Sequence, residues 1–372
     1  MTSTILARAV RALAAVAALS PALSFADILL GHSGDLSGTS AALTKDYLRG
    51  MNAYFDEVNR KGGIRGEKIK LVSMDDGFNP DRTVENTKAL IAQNAVALVG
   101  YRGTANMQKI IPVVQAAGIA EIGNTSGAKS LRDPYVPNLF HVRASNSDEI
   151  EAAVNHAWTI GITHIAAAYQ DDAFGKESLD ALNAAVKKRG GAAPVAAPVP
   201  RGTVDVAKAV DTVFASNPQM VMFLGQSKPA AAFINAYRAK GSRPQFFVIS
   251  VASGLHADLG PDAQGVIVSQ VVPYPFTELG NPVVREYQKV ISQLPDKSFS
   301  YNSMEGFLNA KLVTIALQRA PAPVTRAKLI STLESFNNED LGGFAITYGK
   351  QSNLGSRFVN LTMIRADGSF AR

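Results

Sequence analysis

From residue 27 onward, short apolar runs alternate with amphipathic stretches, the pattern of βα units around a mostly parallel sheet. Residues 28–31 read as a strand. Tyr47, Met51, Tyr54, Phe55 and Val58 then recur at helical spacing until Gly62-Gly63 stops the helix. Residues 68–74 form the next predicted strand. Asn79-Pro80 opens a helix, because proline is preorganised for the first helical turn. A strand over 95–99, a helix over 104–117 and a strand over 119–122 follow, with Asn124-Thr125-Ser126-Gly127 as the loop beyond the last strand's carboxyl end.

The pattern then restarts at Asp148, with helices over 148–160, 176–189 and 229–240 and strands over 164–169, 220–224 and 246–250, followed by the apolar run 265–270. Residues 281–335 read as mainly helical, and 344–348 and 358–364 as final strands. This makes two Rossmann-like lobes with parallel central sheets. No Pro-, Gly- or Ser-rich linker separates them, and short crossovers near 143–146 and 271–275 suit hinges. Two lobes joined by more than one crossover make a cleft that opens and closes.

The first residues follow a different pattern. Arg8 and Arg11 precede the apolar run at 13–19, and Ser24-Phe25-Ala26 places small residues at the last and third-last positions. This predicts a signal peptide over residues 1–26, cleaved after Ala26, and export to the periplasm. The run is shorter than the roughly 20 residues that span a bilayer. The whole chain of 372 residues is 47% hydrophobic and 18% charged, within the globular range. It contains no cysteine, which excludes disulfides, thiolate metal sites and a lipidated N-terminal Cys. The net charge of +6 falls to +4 without Arg8 and Arg11, and the basic residues are scattered among acids, so no nucleic-acid partner is expected.

The motifs of an enzyme are not found. His32, His141, His156, His164 and His256 show no metal-ligand spacing, and there is no G-x-S-x-G elbow, G-x-G-x-x-G fingerprint or P-loop. Adjacent acids in Asp75-Asp76 and Asp171-Asp172 point apart at a strand end and suit solvated or capping roles. The expectation is a protein that is not an enzyme and holds no cofactor or metal. In open α/β sheets, ligands sit beyond the carboxyl ends of strands. Two loops stand there. Tyr101-Arg102-Gly103-Thr104 leads into a helix, so the Thr104 hydroxyl and nearby N–H groups suit a carboxylate, and residues 124–128 offer the same chemistry. Thr104 and Ser126 equally suit the capping of their own helices.

Several landmarks occur in a characteristic order: Gly34-Asp35-Leu36-Ser37-Gly38; Asn59-Arg60-Lys61-Gly62-Gly63-Ile64; Asp75-Asp76 with Asn79-Pro80; Val99-Gly100 with Gly103-Thr104; Phe140-His141-Val142-Arg143; Asp172-Ala173-Phe174-Gly175; and Tyr301 with Glu305-Gly306. With these the chain resembles the Leu/Ile/Val-binding family of periplasmic ABC transporter receptors over nearly all of residues 27–372. The resemblance implies the type I periplasmic binding protein fold, two lobes joined by three crossovers. It assigns 27–145 plus 274–345 to one lobe and 146–273 plus 346–372 to the other. It also implies a monomer that captures a small carboxylate-bearing ligand, such as a branched-chain amino acid, and partners an ABC permease in the inner membrane. A receptor that signals instead of transporting would use the same clamp.

The resemblance further implies that Thr104, Thr125 and Ser126 grip the ligand carboxylate and that Phe174 stacks on the ligand from the second lobe. Gln226 and Ser227 stand where relatives carry tyrosines, which implies a roomier or more polar wall. Ser250-Val251-Ala252-Ser253-Gly254 lacks the acid that branched-chain binders set against the ligand's ammonium. Either Asp172 or Glu305 takes that duty, or the ligand is an aromatic or aliphatic acid without an amino group, with Tyr101, Tyr274 and Tyr301 lining its pocket.

Overall fold

A computed structural model describes residues 27–277 and 280–372; the stretch read as a signal peptide lies outside the described residues. The first lobe carries β1 (Ile28–Gly34), α1 (Ala41–Arg60), β2 (Ile69–Asp75), α2 (Pro80–Ala92), β3 (Ala97–Val99), α3 (Thr104–Ala116), β4 (Ala120–Ile122) and β5 (Leu139–Phe140). Its five strands pair in the order β2-β1-β3-β4-β5, all parallel. The helix expected at Asn79-Pro80 starts there, and the Asn79 side chain accepts from the Asp81 and Arg82 amides.

The second lobe comprises α4 (Asn146–Thr159), β6 (Ile165–Asp171), α5 (Ala173–Lys188), β7 (Val195–Pro200), α6 (Ala207–Ala215), β8 (Met220–Leu224), α7 (Ser227–Ala239), β9 (Gln245–Val248), α8 (Leu255–Leu259) and β10 (Ile267–Gln270). Strands β7-β6-β8-β9-β10 repeat the order of the first sheet. The antiparallel β14 (Asn360–Ile364) and β15 (Phe370–Ala371) extend it at the β10 edge. Every residue of β8 is buried, as a strand covered by helices on both faces requires. The unit β7–α6 was not read from the sequence. Pro198 and Pro200 argue against a strand, and the structure admits them because β7 is an edge.

Between the lobes' two stretches, α9 (Pro282–Ile291), α10 (Tyr301–Arg319) and α11 (Arg326–Glu334) return to the first lobe. Helices α1 and α10 cross at glycines. A Cβ on Gly50 would lie 1.8 Å from the Ser303 carbonyl oxygen, and one on Gly306 would lie 1.9 Å from that of Tyr47. The strands β11 (Glu339–Asp340), β12 (Ala345–Gly349) and β13 (Ser352–Gly355) form a small antiparallel sheet. It sits against β5: His141 N donates to Asn353 O at 2.9 Å, and the Tyr348 hydroxyl donates to His141 O at 2.7 Å. Residues 346–355 therefore pack on the first lobe, not the second, and the third crossover falls at 356–359. A short hairpin carries no pattern that tells which sheet it joins.

Candidate ligand-binding site

The two sheets share one order, so each lobe has a switch point where successive connections leave in opposite directions, and ligands of open α/β sheets bind at that point. The loops after β3 and β4 supply Arg102, Gly103, Thr104, Thr125 and Ser126, and those after β6 and β8 supply Asp172, Phe174 and Gln226. These residues, with Phe78, Gln170 and Val251, line a narrow cavity between the lobes. The free space they leave is about 10 Å³, room for roughly one water molecule, so a solute must part these side chains to enter.

Three helices start on this cavity: α3 after Gly103, α5 after Asp172 and α7 after Gln226. The uncapped N-termini of α3 and α7 make the site favourable to an anion, while Asp172 already caps α5. Gly103 takes φ 92°, and a Cβ there would lie 2.9 Å from both the Phe78 ring and Asn106 Oδ1, so this turn requires glycine. Thr104 Oγ1 and Ser126 Oγ are hydrogen-bonded at 2.7 Å across the two first-lobe loops. Thr125 Oγ1 has no hydrogen-bond partner among the described residues.

Of the residues singled out from the sequence, Thr104, Thr125, Ser126, Phe174 and Gln226 meet at the cavity, and Ser227, Tyr101 and Glu305 do not line it. Ser227 faces a separate, more open groove that it shares with Tyr301 and Phe276. Tyr101 is fully buried in the first lobe's core, where Thr87 Oγ1 donates to its hydroxyl at 3.2 Å. Its backbone still serves the site, because Tyr101 O accepts from Thr125 N at 2.9 Å and ties the two loops together. Tyr274 packs with Phe276 and Tyr301, away from the cavity. Glu305 lies behind the site with its carboxylate 3.5 Å from Arg143 Nη1, and burial raises its pKa.

The wall also contains a residue that reasoning from the sequence passed over. Arg102 is 4% exposed, lines the cavity, and has no hydrogen-bond partner for Nη1 among the described residues. Burial pushes its pKa down to about 10, partly offset by the negative charge of Glu305. The signal was available as a cation in a strand-to-helix loop. What the sequence did not carry was that its head would be buried with Nη1 unpartnered among the described residues.

A family model described as periplasmic binding protein matches residues 27–369. The chain belongs to the periplasmic binding protein family. It is similar to the crystal structure of a possible leucine/isoleucine/valine-binding protein from Rhodopirellula baltica, with a TM-score of 0.90 and 27% identity over 95% of this chain and 98% of that one. A substrate-binding periplasmic protein from Ralstonia solanacearum superposes with a TM-score of 0.87 and 32% identity, covering 92% and 99% of the two chains. An amino acid binding protein of Pseudomonas aeruginosa is 27% identical over 227 residues, and the match spans 60% of each chain. Members of this family bind small molecules and work with ABC permeases.

In this binding protein the lobes meet through side chains around the cavity rim. Arg201, in the turn after β7, donates from Nη2 to Phe78 O at 2.9 Å and to Asn106 Oδ1 at 3.0 Å, and its guanidinium lies 4.2 Å from the Phe78 ring centroid. Its Nε stands 3.1 Å from Asp172 Oδ2. A second bridge joins Ser130 to Glu177, with the Ser130 amide donating at 2.9 Å and its hydroxyl at 2.5 Å. The Arg201 contacts with Phe78 and Asn106 thus exist only while the lobes are together. Arg201→Ala is expected to weaken ligand binding about tenfold by destabilising the closed state. Isothermal titration calorimetry checks this, alongside a melting curve of the ligand-free protein that stays near wild type. Unchanged affinity would show that the Arg201 contacts do not contribute to closure.

Proposed function

We propose that this chain captures a small carboxylate-bearing solute between its lobes in the periplasm and delivers it to an ABC permease, after export directed by residues 1–26. The carrying observation is that helices from both lobes start on one enclosed cavity, beside the hydroxyls of Thr104, Thr125 and Ser126. In this reading the first lobe takes the carboxylate, and the second adds Phe174 and Gln226 on closing. The ligand's preference for the closed form then shifts the equilibrium toward the state that docks on the permease.

The double variant Thr104→Ala/Ser126→Ala tests the site. Each hydroxyl lost from a charge-assisted contact reduces affinity by roughly tenfold, whereas the fold keeps its core. The expected result is a fall of at least about tenfold in affinity for the solute that stabilises the wild type, measured by calorimetry, with circular dichroism unchanged. Wild-type affinity in the double variant would remove these loops from the ligand site.

A further inference from the structure

We propose that the solute is an organic acid anion without an ammonium group, and that Arg102 selects for it. This rests on the reading of the interlobe cavity as the ligand site. Arg102 is a buried cation on the cavity wall, and its Nη1 lacks a hydrogen-bond partner among the described residues. The acids whose charges reach it lie off the wall, Glu305 with its carboxylate beside Arg143 and Asp35 accepting from the Gly38 and Ser40 amides. Thr125 Oγ1 is a second buried polar atom on the same wall without a partner. Both are donors that a carboxylate oxygen satisfies.

An ammonium group would find no unpaired carboxylate on the described lining. Asp172 is the one carboxylate among the described lining residues. Its Oδ2 already faces Arg201 Nε at 3.1 Å and accepts from Gln170 Nε2 at 2.6 Å, and its Oδ1 accepts from Gly175 N at 3.1 Å. The loop that brings Val251 to the cavity, Ser250-Val251-Ala252-Ser253-Gly254, carries no acid. With Arg102 and the N-termini of α3 and α7 around the cavity, and that of α5 already capped by Asp172, an α-ammonium would be buried among positive potentials with no unpaired carboxylate on the described lining. A solute of net negative charge meets no such conflict.

The test uses pairs that differ by the ammonium group: 4-methylpentanoate against L-leucine, 3-phenylpropanoate against L-phenylalanine, and succinate against L-aspartate. The protein is unfolded and refolded to remove carried-over solute, and affinities are measured by calorimetry for wild type, Arg102→Gln and the Thr104→Ala/Ser126→Ala variant. The expected result is that at least one deaminated acid binds and its amino acid partner binds roughly a hundredfold more weakly. Arg102→Gln should lower acid affinity by roughly tenfold or more without lowering the melting temperature of the ligand-free protein, which a purely structural arginine would not allow. If Arg102→Gln does not fold, Arg102→Lys, which keeps the charge and loses the planar fork, serves the same comparison. An amino acid that binds as tightly as its deaminated partner overturns the inference, as does unchanged acid affinity in the Arg102 variant. If that amino acid is also weakened by Thr104→Ala/Ser126→Ala, the inference alone fails and the carboxylate site stands. If neither member of any pair binds the wild type, both fail.

Discussion

Arg143→Met is expected to destabilise the protein by about 3–5 kcal/mol, the typical cost of leaving buried charges without their partner, and to lower Tm on the order of 10 °C. Arg143 stands at the first crossover and is 2% exposed. Toward the first lobe its Nη1 donates to Thr125 O at 2.8 Å and lies 3.5 Å from Glu305. Toward the second, Nη2 donates to Glu149 Oε1 at 3.3 Å and to the Ser250 hydroxyl. Glu149 is itself fully buried and accepts from Ser250 N at 2.9 Å and Ser269 Oγ at 2.6 Å. Methionine fills much of the space and removes the charge, which strands Glu149 and Glu305. Adding Glu149→Gln to Arg143→Met should recover part of the loss, a coupling that a double-mutant cycle by urea denaturation measures directly. A single-variant loss below about 1 kcal/mol would mean that water replaces the arginine at the hinge.

The division of the chain into repeating βα units was legible because the parallel strands are buried on both faces and read as apolar runs. Met220–Leu224, the clearest case, lies where the run predicts. Legibility failed where an element owes its existence to position in the sheet. The edge strand Val195–Pro200 contains two prolines, and Leu139–Phe140 is too short to show a period. Arg201 was hidden with the unit that carries it. At the site, topology marked the strand-end loops over 101–104 and 124–128, and the resemblance to the family picked Thr104, Thr125 and Ser126 within them. Whether a neighbour faces the cavity or the core depends on backbone direction. Tyr101 turns inward and Arg102 faces the cavity, although they are adjacent in the loop. Glu305 was legible as important and not as to purpose, since its partner Arg143 reaches it from the far end of the lobe.

Stability should peak near pH 6.5 and fall by about 1 kcal/mol on going to pH 8, and Glu121→Gln should abolish that fall. Glu121, in β4, is fully buried beneath the Asn124 loop; Asn124 Nδ2 donates to Oε2 at 3.0 Å and Tyr101 N to Oε1 at 3.4 Å. Burial outweighs these bonds and raises its pKa from 4.5 to about 8. Between those values the folded chain keeps a proton that the unfolded chain releases, so stability declines as pH rises. His32 acts in the opposite sense. Burial holds it at about 4 instead of 6.5, so in that window the unfolded chain takes up a proton that the folded chain refuses, and stability increases with pH. His141, also depressed by burial, adds the same sign. From pH 6.5 to about 7.5 the unfolded histidines lose their remaining protons and offset part of the Glu121 slope, which stands alone above that. Glu305 and Asp76, likewise raised by burial, share its sign and do not reverse it. The glutamine side chain keeps a neutral hydrogen-bonding head beside Asn124 and has no proton to lose. Urea denaturation of both proteins at pH 6.5 and 8 checks the difference. A wild type equally stable at the two pH values would place Glu121 in its ionised form throughout, held by a cation-like environment that its contacts with Asn124 and Tyr101 do not supply.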